Sequence, residues 1–93
     1  MLTYRFNEDE LYIKEIENGN DVEFNIQFPP QSTLMEELKK IERHFDDNRV
    51  HTDVLFYVYP NHEYRVIVRH DYYTDFVLAL MKHRLLQSVE WKP

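Results

Sequence analysis

The sequence predicts a small α+β domain built on an antiparallel sheet. Three observations predict it: short segments in which apolar and polar residues alternate, two turn motifs that each join a pair of such segments, and two longer segments with helical spacing of apolar residues. A chain of 93 residues can bury one core but not two. We therefore expect residues 1–93 to form a single domain.

The first three predicted strands form a meander. Residues 2–6 and 11–16 alternate in polarity and are separated by the polar segment NEDE. An Asn-Gly pair at Asn18 and Gly19 follows, which is typical of a two-residue hairpin turn because such turns need positive φ. The third strand then runs from Asp21 until two prolines end it.

The register of this hairpin follows from the turn. A turn centred on the Asn-Gly pair would place Ile13 opposite Phe24 on one face. It would place Lys14 opposite Glu23 on the other face, so that apolar and charged pairs separate. Continuing the pairing back through NEDE would add residues 2–6 as the strand next to residues 11–16.

A first helix is predicted after the prolines. Thr33 and Glu36 form a T-x-x-E capping box at its start, with Ser32 as a further capping residue. Apolar residues then recur on one stripe, at Leu34, Leu38, Ile41 and Phe45. This helix should bury one side and leave the other in water.

A second hairpin is predicted around a three-residue loop, Pro60 to His62. With Tyr59 opposite Glu63, the pairs Val54–Val68, Phe56–Val66 and Val58–Tyr64 form one apolar face. The pairs Asp53–Arg69, Leu55–Ile67 and Tyr57–Arg65 form the other face. A second helix follows from Asp71, with basic residues near its end at Lys82, His83 and Arg84.

These elements give the order βββαββα, with a possible short final strand in residues 88–92. We predict a five-stranded antiparallel sheet in the order 1-2-3-5-4 with both helices on one face, and residues 88–92 outside the main ladder. The alternative is a ferredoxin-like βαββαβ domain with an N-terminal extension, from Asp21 onward. The Asn-Gly hairpin favours the first arrangement, because it occupies the side of the third strand that the ferredoxin-like order needs.

Composition argues against several classes of function. The absence of cysteine excludes disulfides and cysteine-based metal sites, and the sequence shows neither a signal peptide nor a transmembrane segment. We therefore expect a cytoplasmic protein with no membrane contact. The net charge of −6 argues against binding to nucleic acid, whose affinity comes largely from basic residues that neutralise phosphates.

No motif indicates catalysis, a cofactor or a metal. The histidines do not have the spacing of a metal site; they are His44, His51, His62, His70 and His83. A phosphate-binding loop is excluded because Gly19 is the only glycine, and no nucleophile elbow is present. We predict that the protein is not an enzyme.

One surface remains as a candidate binding site, on the sheet face opposite the predicted helices. It contains Tyr12, Leu55, Tyr57, Tyr59, Arg65, Ile67 and Arg69. Tyrosine and arginine are enriched at the centres of protein interfaces, so this composition favours a protein contact, most simply in a homodimer. Three readings stay open beside it: residues that only support the sheet, a platform for single-stranded nucleic acid or another planar ligand, and acidic mimicry of nucleic acid.

Overall fold

The computed structural model describes residues 2–47 and 53–92. The strands are β1 Leu2–Arg5, β2 Tyr12–Asn18, β3 Asp21–Gln27, β4 Val54–Tyr59, β5 Glu63–Arg69 and β6 Ser88–Trp91. The helices are α1 Leu34–Asp47 and α2 Tyr73–Lys82, and a 3-10 turn at His70–Tyr72 leads into α2. The prediction of an α+β domain with antiparallel strands is confirmed.

The main sheet has four strands in the order β2-β3-β5-β4. Both helices pack on the face that carries the alternating apolar residues of β3 and β5, including the fully buried Phe24 and Val66. Phe76 of α2 reaches Phe24 with 4.8 Å between ring centroids, and Phe45 of α1 lies 6.1 Å from Phe76. These rings join the two helices to the sheet in one core.

The predicted five-stranded sheet is wrong, because β1 does not pair with β2. It pairs instead with β6, and the two form a separate antiparallel ribbon with Tyr4 opposite Val89. The reason lies in the segment NEDE, which forms a helical turn: the Asn7 carbonyl accepts hydrogen bonds from the N–H groups of Glu10 (2.9 Å) and Leu11 (3.1 Å). Such a turn carries β1 out of the plane of β2, which a tight hairpin turn would not do.

The alternative ferredoxin-like order does not form either. In that order the last strand would lie beside β3, but β2 occupies this position and β6 pairs with β1. The prediction that residues 88–92 lie outside the main ladder is confirmed. The N-terminal hairpin therefore fills the place in the sheet that a C-terminal strand would otherwise take.

The two hairpins differ in how closely their registers follow the predicted ones. The β4–β5 register agrees pair for pair, from Val54 opposite Val68 to Tyr59 opposite Glu63. In the β2–β3 hairpin the buried face is the predicted one, but Ile13 lies opposite Ile26, two residues further along than predicted. The turn is formed by Gly19 and the residue after it, and Gly19 has a φ of +64°, as glycine has at the first central position of a type II′ turn.

The end of α2 is a Schellman motif with an arginine where glycine is usual. The Leu85 N–H donates to the Leu80 carbonyl (2.9 Å), the Arg84 N–H donates to the Met81 carbonyl (3.0 Å), and Arg84 has a φ of +66°. Leu80 and Leu85 are both buried, which completes the hydrophobic contact of the motif. Arg84 thus adopts a left-handed conformation that costs a residue with a Cβ some free energy.

Replacing Arg84 with glycine is expected to raise the free energy of unfolding by about 0.5–1 kcal/mol, because glycine reaches the left-handed region without steric cost. Urea denaturation followed by circular dichroism measures this. Arg84→Ala is the matched control, since it removes the same charge but keeps the Cβ, and it should give no such gain. Equal stabilisation by both variants would mean that the gain comes from removing the Arg84 charge and not from relieving its left-handed backbone.

Candidate functional site: the open face of the main sheet

The face of the main sheet opposite the helices is a regular grid, because residues directly opposite each other in antiparallel strands share a face. Across β2, β3, β5 and β4, its rows are Tyr12, Gln27, Glu63 and Tyr59; Lys14, Asn25, Arg65 and Tyr57; and Ile16, Glu23, Ile67 and Leu55. A fourth row contains Asn18, Asp21, Arg69 and Asp53, the residue just before β4. The middle of this open face is mostly polar. Apart from Ile67 on β5, its apolar and aromatic residues lie on the two outer strands, β2 and β4.

The structure brings six of the seven predicted patch residues together and leaves one apart. The six lie on β4 and β5: Leu55, Tyr57, Tyr59, Arg65, Ile67 and Arg69. We call these six residues the β4–β5 patch. Tyr12 lies at the opposite edge of the sheet, three strand spacings or roughly 14 Å away, and its ring contacts Phe6 at 5.7 Å between centroids.

The patch is exposed along β4. Leu55 is 38% exposed and Tyr57 is 44% exposed, which are high values for large apolar or aromatic side chains on a sheet. Within residues 2–47 and 53–92, the helices and the β1–β6 ribbon contribute to the core on the other face. The solvent-facing side of β4 therefore carries three large side chains in a row, at alternate positions.

Short contacts within the chain orient both arginines of the patch. The Arg65 guanidinium carbon lies 4.7 Å from the centre of the Tyr59 ring, and Arg65 Nε is 3.4 Å from Glu63 Oε2. Arg69 Nε lies 3.4 Å from Asp53 Oδ1. Their stems and planar heads can therefore add apolar contact area to the patch, and nearby carboxylates balance their charges.

Charge on the open face does not favour phosphate binding. Its basic side chains are Lys14, Arg65 and Arg69, and its acidic side chains are Asp21, Glu23, Asp53 and Glu63. The acidic groups outnumber the basic ones, and two of them pair with the arginines. A nucleic acid backbone would have to displace these carboxylates to gain the counterion-release free energy that dominates such binding.

The backbone of β4 adds a feature that the sequence pattern did not reveal. In an antiparallel pair, alternate residues direct both backbone polar groups toward the partner strand. The Arg69 N–H donates to the Asp53 carbonyl (2.9 Å), so odd-numbered residues of β4 face β5. The N–H and C=O groups of Val54, Phe56 and Val58 therefore point away from the sheet.

Val58 also departs from its expected surroundings. Its side chain is on the helix face, as the register predicts, but it is 64% exposed because α1 does not cover this end of β4. It lines a groove of about 470 Å³ together with Met35 of α1 and Tyr64 of β5. The predicted strand order already placed β4 at an edge, and its sequence VLFYVY was the available signal that this edge lacks the charges or proline that commonly protect edge strands.

Apart from the open face, a polar cluster lies between the ribbon and the main sheet. The Tyr4 hydroxyl donates to Glu15 Oε2 at 2.6 Å, and the Tyr73 hydroxyl donates to the same oxygen at 3.3 Å. Burial, and then the hydrogen bond to Glu15, raises the pKa of Tyr4 well above its ordinary 10.0. Burial and the Glu15 charge likewise raise the pKa of Tyr73. Both tyrosines stay protonated at neutral pH, so each donates to Glu15 of β2. Tyr4 thereby ties β1 of the ribbon to the main sheet, and Tyr73 ties α2 to it.

The four histidines that the structure describes lie at or near the ends of elements, as their sequence positions indicate. Among residues 2–47 and 53–92, no three His, Asp or Glu side chains come together in a way that could hold a metal ion, and His51 lies outside these residues. His83 Nδ1 is 3.2 Å from Glu37 Oε1 and helps tie α2 to α1. Hydrogen bonds from Lys40 and His83 lower the pKa of the Glu37 carboxyl.

Comparison of the chain with protein-family models, with curated proteins and with solved structures finds no match. In the part of the chain that the structure describes, neither helix has the length and apolar character needed to cross a membrane.

Proposed function

We propose that the protein is a non-catalytic interaction or regulatory module that self-associates through the β4–β5 patch. The observation that carries this proposal is the exposed row of Leu55, Tyr57 and Tyr59, flanked by two arginines that intramolecular contacts orient. Tyrosine and arginine bury much area at a modest cost in side-chain entropy when they are already held in place. A homodimer is the simplest partner arrangement, and a cytoplasmic location stays a prediction from the sequence.

The alternative, that the patch residues only stabilise the sheet and bind no partner, explains their arrangement less well. Tyrosine and β-branched residues favour strands, but strand preference does not require Arg65 to lie on the ring of Tyr59. The opposite edge provides the comparison, since Tyr12 and Ile16 are also exposed there but have Lys14 between them on the same face. The patch on β4 has no charge within its row of side chains from Leu55 to Tyr59.

The double substitution Leu55→Ser and Tyr57→Ala tests this proposal. We expect it to weaken self-association at least tenfold, which corresponds to about 1.4 kcal/mol, because it removes two adjacent interface side chains. Light scattering coupled to size exclusion over a concentration series measures the dimer dissociation constant. Circular dichroism should show an unchanged fold, since both side chains are exposed.

Matched changes elsewhere on the surface serve as the control. Ile16→Ser and Tyr12→Ala remove apolar side chains of similar exposure from the other edge of the same face and should leave the dissociation constant unchanged. Loss of folding in the patch variant would instead assign Leu55 and Tyr57 to the core. A wild-type chain that stays monomeric at several hundred micromolar would contradict the proposed function.

The second candidate is a ligand-binding or single-stranded nucleic-acid-binding domain that uses the same aromatic and arginine side chains. The stacking of Arg65 on Tyr59 favours a planar ligand, while the acidic excess of the face opposes nucleic acid. Titration with a labelled oligonucleotide at low salt distinguishes the two. Binding that Arg65→Ala abolishes would support the second candidate over the first.

A further inference from the structure

We infer that self-association occurs by antiparallel pairing of β4 with β4 of a second copy, so that two four-stranded sheets become one continuous sheet. This inference rests on the proposed function and specifies its geometry. Within residues 2–47 and 53–92, β4 has β5 as its only neighbour and forms an edge of the sheet. The outward N–H and C=O groups of Val54, Phe56 and Val58 provide a row of donors and acceptors that another strand can satisfy.

The two edges of the main sheet differ in a way that identifies β4 as the pairing edge. Natural edge strands are protected against pairing by charged side chains, proline or bulges. β2 has such protection, with Lys14, Glu15 and Glu17 in its seven residues. β4 consists of Val, Leu, Phe, Tyr, Val and Tyr and carries no charge on either face. An unprotected edge of this kind is the template that strand addition uses.

The strand is complementary to itself when Phe56 lies on the two-fold axis. In that register Val54 is opposite Val58 of the partner, and all residues with outward backbone groups meet in hydrogen-bonded pairs. About six backbone hydrogen bonds result, because each such pair exchanges two. Val58, which is 64% exposed in one copy, then has an apolar neighbour across the axis.

In the same register, the side chains on the open face of one copy are also complementary to those of the other. Leu55 lies opposite Tyr57 of the partner, so the two β4–β5 patches join into one apolar stripe across the dimer. Asp53 at one end of each strand comes opposite Tyr59 of the partner, whose ring carries the Arg65 guanidinium at 4.7 Å. An acid therefore meets a cation at both ends of the new interface, although the whole chain has a net charge of −6.

Val58→Pro tests the backbone pairing directly. Proline removes the Val58 N–H, which points away from β5 and is not used within the main sheet, so an edge strand tolerates it. We expect the substitution to weaken dimerisation at least tenfold by light scattering. Val58→Thr keeps the N–H and a β-branched shape and should dimerise like the wild type. A Val58→Pro chain that folds and dimerises with unchanged affinity would overturn the inference.

Residue-resolved amide exchange of the wild-type chain gives a second test that needs no substitution. On raising the concentration, the Phe56 and Val58 amides should become protected, because they acquire partners only in the dimer. The Leu55 and Tyr57 amides already face β5 and should change little. A dimer that leaves Phe56 and Val58 exchanging at the monomer rate would overturn edge pairing while leaving the proposed self-association intact. A monomer at all concentrations would overturn both.

Discussion

Phe76→Ala is expected to lower the free energy of unfolding by about 3–5 kcal/mol, the range for removing a buried aromatic ring. Phe76 has no solvent exposure, and its ring lies 4.8 Å from Phe24 and 6.1 Å from both Phe45 and Phe56, measured between centroids. It therefore connects α2 with β3, α1 and β4. A cavity at this point would weaken contacts between all the layers, because close-packed neighbours relax only partly around it.

Chemical denaturation with urea measures this effect. The variant should lose a large share of the total stability, since small domains are stable by only about 5–15 kcal/mol. Leu78→Ala on the same helix is the matched control: Leu78 is 51% exposed, so its truncation should change stability by less than about 0.5 kcal/mol. A cost below 1 kcal/mol for Phe76→Ala would mean that the core is not centred on this ring.

The parts of the fold that the sequence predicts correctly are those in which two local signals agree. For β4 and β5, the length of the Pro60–His62 loop and the alternation of Val54, Phe56 and Val58 lead to one register, and the structure has that register. In the β2–β3 hairpin the same alternation gave the correct face, but the turn moved by one residue. Alternation has a period of two, so it cannot distinguish registers that differ by two residues.

The position of β1 could not be derived from local signals. Its alternation of Leu2, Tyr4 and Phe6 is compatible with any neighbour that covers one side, and its partner β6 lies more than eighty residues away in the sequence. The helical turn after β1 depends on hydrogen bonds to the Asn7 carbonyl and side chain, which a run of polar residues does not specify uniquely. Long-range pairing of this kind is decided by the packing of the whole core.

The candidate site, like the fold, was predicted correctly only in part. Residues on β4 and β5 were placed on the open face correctly because that register was correct. Tyr12 was grouped with them only by its face, and face alone does not give the distance across intervening strands. The predicted order 1-2-3-5-4 already placed β4 at an edge, as the structure does. Alternation alone did not tell which of its residues direct their N–H and C=O groups outward, and the hydrogen bond from the Arg69 N–H to the Asp53 carbonyl provides this.

Stability is expected to fall as the pH rises above about 10, and Tyr4→Phe should make this fall shallower. The folded chain raises the pKa of Tyr4 and Tyr73 above 10.0, whereas the unfolded chain ionises its tyrosines near that value. Above this pH the folded state holds more protons than the unfolded state, so stability decreases with pH. The contribution of these two tyrosines to the free energy of unfolding is fully present below pH 10 and is lost progressively at higher pH.

Urea denaturation at a series of alkaline pH values, with tyrosinate absorbance followed in parallel, measures this linkage. The slope attributable to Tyr4 is at most about 1.4 kcal/mol per pH unit, and water screening reduces it because Tyr4 is only partly buried. At neutral pH the same variant should cost about 1.5–3 kcal/mol, since Glu15 loses its 2.6 Å hydrogen bond while its Oε1 is buried and has no partner within the described residues.

Tyr12→Phe is the matched control for this measurement. It also removes a single phenolic hydroxyl, but Tyr12 is 52% exposed, so it should change neither the neutral stability nor the alkaline slope by a measurable amount. If Tyr4→Phe and Tyr12→Phe gave the same alkaline slope, Tyr4 would ionise normally in the folded chain. The Tyr4–Glu15 hydrogen bond would then not be what fastens the β1–β6 ribbon to the main sheet.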